Sequence, residues 1–217
     1  MRLLPIPGVF KPHSDSLLLA AQLSREPRLA GASVLDLCTG SGLLAIEAAR
    51  RGAREVTAVD VSRRAVLATR LNARLNGVRV RVVRGDLFRA VDGRRFDLIV
   101  SNPPYLPSQQ EELPLRGAAR AWEGGPDGRT FIDRICRQAR AHLEPDGILL
   151  LLQSSLAGDR ASARALRSQG FEVTVAARRR GPLGARGRAR APMLRARGLL
   201  SGEDAEEIVI LRARVPG

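Results

Sequence analysis

Short apolar runs alternate with amphipathic stretches along this chain. Runs of about five apolar residues bounded by turn residues are typical of buried strands, and the longer amphipathic stretches are typical of helices. Strands are predicted at residues 33–37, 55–59, 78–83, 96–100, 148–152, 171–176 and 207–212, and helices at about 42–51, 62–75, 129–142 and 156–168. Strands joined through single helices pair in parallel by right-handed crossovers. The sequence therefore predicts an α/β fold with a doubly wound, mostly parallel sheet of seven strands.

The 217 residues fit a single domain, 1–217, because no internal repeat or linker divides them. Residues 1–32 form an N-terminal segment, and residues 178–200, rich in Arg, Gly and Ala, are predicted to be a protruding loop or hairpin between the last two strands. Pro5 and Pro7 interrupt the apolar N-terminus, and no apolar run is long enough to span a membrane. We therefore expect no signal peptide, no membrane contact and a cytoplasmic location.

The two cysteines, Cys38 and Cys136, have no spacing typical of a metal site or a disulfide framework. This absence fits a reducing compartment, and we expect no metal.

The formal net charge is +14, from 36 basic and 22 acidic residues. Such a charge normally indicates a polyanionic partner such as nucleic acid. However, Lys11 is the only lysine, and heavy use of Arg, Ala and Gly is typical of a GC-rich coding bias. We therefore discount the charge, and keep nucleic acid as an alternative partner through the Arg-rich loop.

Acidic or glycine-rich positions follow three consecutive predicted strands. The segment Asp36-Leu37-Cys38-Thr39-Gly40-Ser41-Gly42 enters the first helix, and its glycines allow a tight turn and the close approach of a ligand. It lacks the third glycine of the dinucleotide-binding pattern, which argues against a pyrophosphate ligand. Asp60 ends the second strand, where a carboxylate accepts from ribose hydroxyls, and Asp86, after the third, can accept from an adenine amino group. Each alone is more often a cap or turn residue, but together they predict a nucleoside site.

The segment Asn102-Pro103-Pro104-Tyr105 follows the fourth predicted strand. Its two prolines hold the backbone extended and donate no N–H groups. The Asn102 side chain and the Pro103 carbonyl then offer two acceptors to a planar –NH2 group, which has two N–H donors. Tyr105 adds a flat ring that can pack on a planar substrate. The motif therefore predicts a site for an –NH2 acceptor beside the nucleoside site.

This succession of motifs resembles the class I S-adenosylmethionine-dependent methyltransferases that methylate amino groups. The closer likeness is to the HemK/PrmC-like release-factor glutamine methyltransferases. Residues 121–128, Ala-Trp-Glu-Gly-Gly-Pro-Asp-Gly, resemble that family's Gly-Gly-x-Asp-Gly loop, and residues 9–16 resemble its N-terminal Pro-x-x-Asp-Ser/Thr segment. The likeness covers nearly the whole chain and is greatest to the compact type without an N-terminal helical domain.

The resemblance implies a Rossmann-like class I methyltransferase fold, with residues 1–32 covering the cofactor, S-adenosylmethionine. It implies methylation of a glutamine side-chain amide in a peptide chain release factor. The catalytic residues would be Asn102, Pro103 and Tyr105. The cofactor-binding residues would be Asp15, Ser16, Asp36, Cys38, Gly40, Gly42, Asp60, Val61, Asp86, Leu87 and Asn102. The compact type also implies a small zinc-binding activator subunit paired along the third strand.

Two other interpretations stay open. A DNA or RNA amino methyltransferase acting on adenine N6 or guanine N2 would use the same tetrapeptide, because a flipped base also carries a planar –NH2 group. The charge and Arg178-Arg179-Arg180 favour it, but the length leaves no room for a separate base-recognition module. A non-catalytic binding protein on this scaffold is disfavoured, because motifs stand at all four strand ends. Because only 32 residues precede Ser33 in this sequence, we expect no counterpart of the helical domain that helps the bacterial PrmC type to hold the release factor, and the identity of the acceptor stays open.

Overall fold

In the computed structural model, which describes residues 1–114 and 117–217, seven strands form one sheet in the order β3-β2-β1-β4-β5-β7-β6. The strands are β1 Ser33–Leu37, β2 Glu55–Asp60, β3 Arg81–Arg84, β4 Phe96–Ser101, β5 Leu143–Ser154, β6 Glu172–Pro182 and β7 Ala205–Arg214. The helices are α1 Ser14–Ser24, α2 Leu43–Arg50, α3 Arg63–Leu75, α4 Thr130–Gln138, α5 Asp159–Ser168, α6 Ala185–Ala189 and α7 Ala191–Ala196. The first five strands pair in parallel and β7 pairs antiparallel with both β5 and β6. The predicted seven-stranded, mostly parallel α/β sheet is confirmed.

The strand order reverses at β1, which pairs with β2 on one side and with β4 on the other. Parallel strands end at the same edge of a sheet, and ligands bind beyond the carboxyl ends at such a reversal. The residues that follow β1, β2 and β4 are therefore brought to one edge by the pairing itself.

Alternate residues of the buried strands face the two helical layers, so each strand contributes to two cores. Val34, Leu98 and Leu150 pack with α1 and α2, whereas Leu35 and Ile99 pack with α4 and α5. This two-sided burial explains why the strands are continuously apolar. It also makes the edge of the sheet a rigid base for the loops that follow.

Two predicted boundaries differ from the structure. The third strand begins at Arg81 rather than at residue 78, because the Val78 N–H donates to the carbonyl of Ala73 and so completes the end of α3. The fifth strand begins at Leu143 rather than at residue 148, and residues 145–147 lie inside it, where the register shifts so that Phe96 opposes Leu143 and Leu98 opposes Ile148.

The N-terminal segment contains a helix that the sequence pattern did not predict. Leu19 and Leu23 of α1 are fully buried against the sheet layer that also holds α2. Just after α1, the carboxylate of Glu26 pairs with Arg212 of β7 at 2.9 Å. Residues 14–24 are therefore a built-in part of the core rather than a loose cover.

The segment predicted as a loop or hairpin, residues 178–200, consists of the end of a strand and two short helices. Residues 178–182 continue β6 because β7 supplies an antiparallel partner as far as the pair of Pro182 with Ala205, and the rest forms α6 and α7. Leu183, Leu194 and Leu200 are buried together in a small separate core. Extra strand pairing and a local core thus order a segment whose composition is typical of a loop.

Residues 103–128, apart from residues 115 and 116, which lie outside the described part, form an irregular loop with a short 3-10 helix at Ala118–Ala121. Arg190, between α6 and α7, donates to Glu123 at 2.5 and 3.0 Å and to the carbonyl of Pro107 at 2.7 Å. Arg197 donates to the carbonyls of Ser108 and Pro126 at 2.7 and 2.9 Å. The α6–α7 segment therefore fixes the loop that follows the Asn-Pro-Pro-Tyr motif.

The turn after β1 is shaped by Gly42 and by a buried carboxylate. Gly42 has φ of +87°, and a Cβ there would come within 2.9 Å of Thr69 on α3. Asp36 accepts from the Thr39 hydroxyl at 2.6 Å and from the Ala45 N–H at 3.1 Å. Because Asp36 is fully buried, it holds the turn from behind.

Replacing Asp36 with Asn should reduce the dependence of stability on pH. Burial, opposed by the hydrogen bond from Thr39, raises the pKa of Asp36 from 3.8 to about 7. Between these values the unfolded chain has released the proton and the folded chain keeps it, so the free energy of unfolding falls as the pH rises. The free energy of unfolding, measured in denaturant, should fall between pH 5 and pH 8 by about 1–3 kcal/mol more in the parent than in Asp36→Asn. An equal loss in both proteins would contradict the raised pKa.

Arg190→Ala should destabilise the protein by about 3 kcal/mol, because it leaves the buried Glu123 without a counter-ion. The side chains of Arg190 and Glu123 are only 17% and 9% exposed. Arg180→Ala is the matched control: it removes an ion pair with Glu203 whose side chains are 65% and 81% exposed. The control should change the free energy of unfolding by less than about 1 kcal/mol. Equal midpoints for the two variants in denaturant would show that Arg190 does not hold the loop.

Candidate active site

A cavity of about 1540 Å³ opens at the carboxyl edge of the sheet. A pocket for one small molecule measures roughly 300–1,000 Å³, so this cavity has room for a nucleoside cofactor and part of an acceptor. Its lining includes these residues from the predicted site: Asp15, Ser16, Cys38, Gly40, Asp60, Val61, Asp86, Leu87, Asn102, Pro103 and Tyr105. Asp36 and Gly42 lie outside the lining and support the turn that Cys38 and Gly40 present.

The turn that follows β1 lines the cavity with its backbone. Cys38 has a left-handed conformation with φ of 61°, and a Cβ added at Gly40, where φ is 57°, would meet no atom within 4 Å. Burial, with a further contribution from the charge of Asp60, raises the pKa of the Cys38 thiol well above its usual value. The thiol is therefore protonated near neutral pH and is not a nucleophile.

Asp60 stands at the end of β2 and links two loops. Its carboxylate accepts from the Gly40 N–H at 3.0 Å and from the Ser62 N–H at 2.9 Å. Burial raises its pKa, and these two backbone donors oppose the shift. A carboxylate has about four acceptor positions, so Asp60 keeps acceptors for a pair of hydroxyls.

Asp86 and Leu87 follow β3 at the same edge. The Asp86 carboxylate accepts from the Arg134 guanidinium of α4 at 2.7 Å, and Leu87 has a left-handed backbone with φ of 48°. Sequence reasoning missed Arg134, because a single arginine on an amphipathic helix is indistinguishable from the many other arginines of this chain.

Asn102, at the end of β4, is oriented by the N-terminal segment. Its side-chain N–H donates to the Ser16 hydroxyl at 3.1 Å. This contact occupies the donor end of the amide and leaves the Oδ1 acceptor for another group. Within the two described stretches of chain, nothing donates to the Pro103 carbonyl. Two acceptors of the motif are thus left without a donor among the described residues, and both belong to residues that line the cavity.

Tyr105 is held by Asp15, the residue next to Ser16 in the N-terminal segment. Its hydroxyl donates to Asp15 at 2.8 Å. Burial, followed by the charge of Asp15, raises the pKa of the phenol well above its usual value, so the hydroxyl stays protonated. Asp15 and Ser16 therefore contact the Asn-Pro-Pro-Tyr motif directly as well as lining the cavity.

The glycine-rich loop at residues 121–128 packs on the same motif. The Gly124 N–H donates to the carbonyl of Leu106 at 2.9 Å, and Gly128, with φ of +77°, lies so close to the Tyr105 carbonyl that a Cβ would clash with it. Trp122 is stacked under the guanidinium of Arg186, which lies 3.9 Å from the ring centroid. Glu123 and Arg190, which anchor this loop, were not predicted, because only the tertiary structure shows that they meet.

The residues that line the cavity fit S-adenosylmethionine. The acceptors left on Asp60 would suit ribose hydroxyls, the open space beside Gly40 would allow a close approach, and Asp86 with Leu87 would border a base. Asp36 also has one carboxylate oxygen that is buried and accepts no hydrogen bond among the described residues.

Among the helices of residues 1–114 and 117–217, none is both long enough and apolar enough to cross a membrane. No cluster of three or more His, Cys, Asp or Glu side chains was found there that could hold a metal ion.

Comparisons with known proteins agree with this geometry. Residues 1–118 match the family model described as methyltransferase small domain. A putative protein N5-glutamine methyltransferase of Methanocaldococcus jannaschii is 36% identical over 176 residues, which are 81% of this chain and 87% of that protein. The release factor glutamine methyltransferase of Geobacter sulfurreducens is 36% identical over 67% of this chain and 53% of its own length. The ribosomal protein uL3 glutamine methyltransferase of Bradyrhizobium diazoefficiens is 44% identical over 54% of this chain and 39% of its own length.

The chain thus spans about half the length, or less, of the two bacterial relatives, but most of the archaeal one. Among solved structures, the E. cuniculi Mtq2-Trm112 complex, described as responsible for methylation of the eRF1 translation termination factor, superposes with a TM-score of 0.67 at 22% identity. That match covers 96% of this chain and 99% of the other, and it supports the class I methyltransferase fold. The chain therefore belongs to the methyltransferase small domain family, in its branch of S-adenosylmethionine-dependent, HemK/PrmC-like glutamine methyltransferases.

Proposed function

We propose that this enzyme methylates the side-chain amide nitrogen of a glutamine in a peptide chain release factor. The observation that carries the proposal is the orientation of Asn102, whose side-chain N–H donates to Ser16 and so leaves its Oδ1 as an acceptor, next in sequence to the Pro103 carbonyl. Two fixed acceptors suit a primary amide better than any other group of a protein, because a primary amide offers two N–H donors on one nitrogen. The names of the archaeal and Geobacter relatives support the same acceptor.

The cofactor half of the proposal uses the residues after β1, β2 and β3. Asp60 would hold the ribose, Cys38 and Gly40 would border the methionine part, and Asp86, Val61 and Leu87 would border the base. When bound, S-adenosylmethionine supplies a methyl group activated by its sulfonium. Asp36 and Gly42 would act indirectly, by shaping the turn that carries Gly40.

The acceptor half depends on orientation. An amide nitrogen is a weak nucleophile because its lone pair is delocalised into the carbonyl. By accepting both N–H groups, Asn102 and Pro103 would fix the nitrogen and direct its lone pair toward the methyl group. Orientation of this kind supplies up to roughly 7–11 kcal/mol. The methylated nitrogen is acidic and releases its proton readily, so this scheme needs no strong general base.

We also propose that a small zinc-binding activator subunit pairs along β3. This strand is at the edge of the sheet, and the neighbouring α3 exposes three leucines one turn apart, Leu67, Leu71 and Leu75. An unpaired edge and an apolar helix stripe are both features that a partner covers. Arg81 and Arg84, exposed on β3, favour an acidic partner strand.

The second candidate function is methylation of a nucleic-acid amine, which the net charge of +14 favours. The arginines of residues 178–197 give it less support than their number suggests. Arg178 pairs with Asp159 and Glu207, and Arg195 pairs with Asp204. Much of this local charge is therefore neutralised within the chain.

The test is transfer of a labelled methyl group from S-adenosylmethionine by the purified chain. A release factor, ribosomal protein uL3, and DNA or RNA are offered separately, each with and without a small zinc-binding activator. We expect label in the release factor, with one added methylene on a single glutamine by mass spectrometry. A release factor with that glutamine changed to Glu is the matched control. Label in uL3 or in nucleic acid, with none in the release factor, would overturn the proposal.

Mutations should distinguish the residue that orients the acceptor from the residue that binds the cofactor. Asn102→Ala should lower kcat by about 100-fold or more, because the acceptor nitrogen loses its orientation, while the affinity for S-adenosylmethionine stays nearly unchanged. Asp60→Ala should weaken cofactor binding by about 1–3 kcal/mol, because buried hydroxyl groups lose their acceptor. Turnover and calorimetry on both variants give the comparison. Turnover of Asn102→Ala within a few-fold of the parent would contradict its role.

A further inference from the structure

We propose that Arg179 is a specificity-determining residue that donates to main-chain carbonyls of the acceptor polypeptide, a few residues from the methylated glutamine. This inference rests on the proposed function, since it assumes a polypeptide acceptor. It deepens that function by assigning a contact for the acceptor's backbone, away from the reacting nitrogen.

The alternation of β6 separates Arg179 from its neighbours. Successive side chains of a strand point to opposite faces. Arg178 pairs with Asp159 at 2.7 Å, and Arg180 pairs with Glu203 at 2.7 Å. Arg179 lies between them, lines the cavity, and makes neither an ion pair nor a side-chain hydrogen bond with any residue in 1–114 or 117–217. Of these three arginines, only Arg179 offers the cavity a guanidinium with no partner.

The sheet order places Arg179 at the acceptor end of the cavity. Strands are about 4.8 Å apart, so β6 lies five positions or roughly 24 Å from β2 and three positions or roughly 14 Å from β4. The ribose site at Asp60 is therefore out of reach for an arginine side chain. Toward Asn102, the side chain covers part of the distance, and two or three residues of extended peptide, at about 3.5 Å each, cover the rest.

The charge around Tyr105 supports this position. Burial and Asp15 raise the pKa of the Tyr105 phenol, and the positive charge of Arg179 opposes them. Arg179 therefore acts on the residue that ends the Asn-Pro-Pro-Tyr motif. A peptide whose glutamine enters at Asn102 would pass Tyr105 on its way to Arg179.

Main-chain carbonyls fit this place better than an acidic side chain. Asp15 and Glu206 also line this end of the cavity, and both would repel an acceptor carboxylate. In the same molecule, Arg190 and Arg197 donate to main-chain carbonyls at 2.7 Å. A guanidinium carries five N–H donors, so one side chain is able to hold two carbonyls of an extended segment and thereby select for a flexible, exposed peptide.

The experiment compares Arg179→Ala and Arg179→Gln with the parent, and Arg180→Ala is the matched control from the same strand. Steady-state rates with the release factor give the acceptor KM and kcat, and calorimetry gives the Kd for S-adenosylmethionine. We expect Arg179→Ala to raise the acceptor KM roughly tenfold or more, the loss expected for hydrogen bonds from a charged donor. Arg179→Gln, which keeps N–H donors without charge, should recover most of that loss. The cofactor Kd and the Arg180→Ala variant should match the parent.

Each other outcome has a defined meaning. If the release factor is methylated and Arg179→Ala keeps the parent KM, the proposed function stands and the role of Arg179 is overturned. If Arg179→Gln is as impaired as Arg179→Ala, the contact depends on charge and the carbonyl assignment is overturned. If the parent labels only nucleic acid, both proposals fall.

Discussion

Parallel pairing of β1 with β2 on one side and β4 on the other is the constraint on which the site depends. It brings Gly40, Asp60 and Asn102 to one edge although they are far apart in sequence. The hydrogen bond from the Gly40 N–H to Asp60, at 3.0 Å, then ties the first two loops together. In a sheet buried on both faces, a one-residue slip of a strand would move its side chains from one packed core into the other, so the spacing of the site is as rigid as the core.

Segments from both ends of the chain hold the Asn-Pro-Pro-Tyr motif. Ser16 and Asp15, at the start of α1, contact Asn102 and Tyr105 from the N-terminal side. Arg190, from the α6–α7 segment, holds the loop that follows the motif from the C-terminal side. Ser16 orients the side chain of Asn102, and Arg190 fixes the loop beyond the motif. Contacts from two distant segments of the chain therefore hold the motif in place.

The composition alone associates the many arginines with a polyanionic partner, whereas the structure shows several of them paired within the chain. A high net charge indicates a polyanionic partner only where the charge is exposed and unpaired. Arg178, Arg190 and Arg195 form ion pairs within the chain, and Arg197 donates to main-chain carbonyls. Most of the arginine-rich segment therefore acts as internal cross-links. Arg179 differs, because strand alternation turns it toward the cavity.

The sequence by itself determined the α/β fold, the four strand-end motifs and their order, because buried strands, glycine turns and proline-rich corners are local patterns with few alternatives. It did not predict the helix α1 or the regular structure of residues 178–200, because both depend on burial against parts of the fold that are distant in sequence. Asp36 and Gly42 were predicted to bind cofactor, yet they lie behind the lining, since sequence spacing does not show which side of a turn faces the cavity. The pairs Asn102–Ser16 and Arg190–Glu123 join residues 86 and 67 positions apart. Only the tertiary structure decided these contacts, because no local pattern specifies which distant side chains meet.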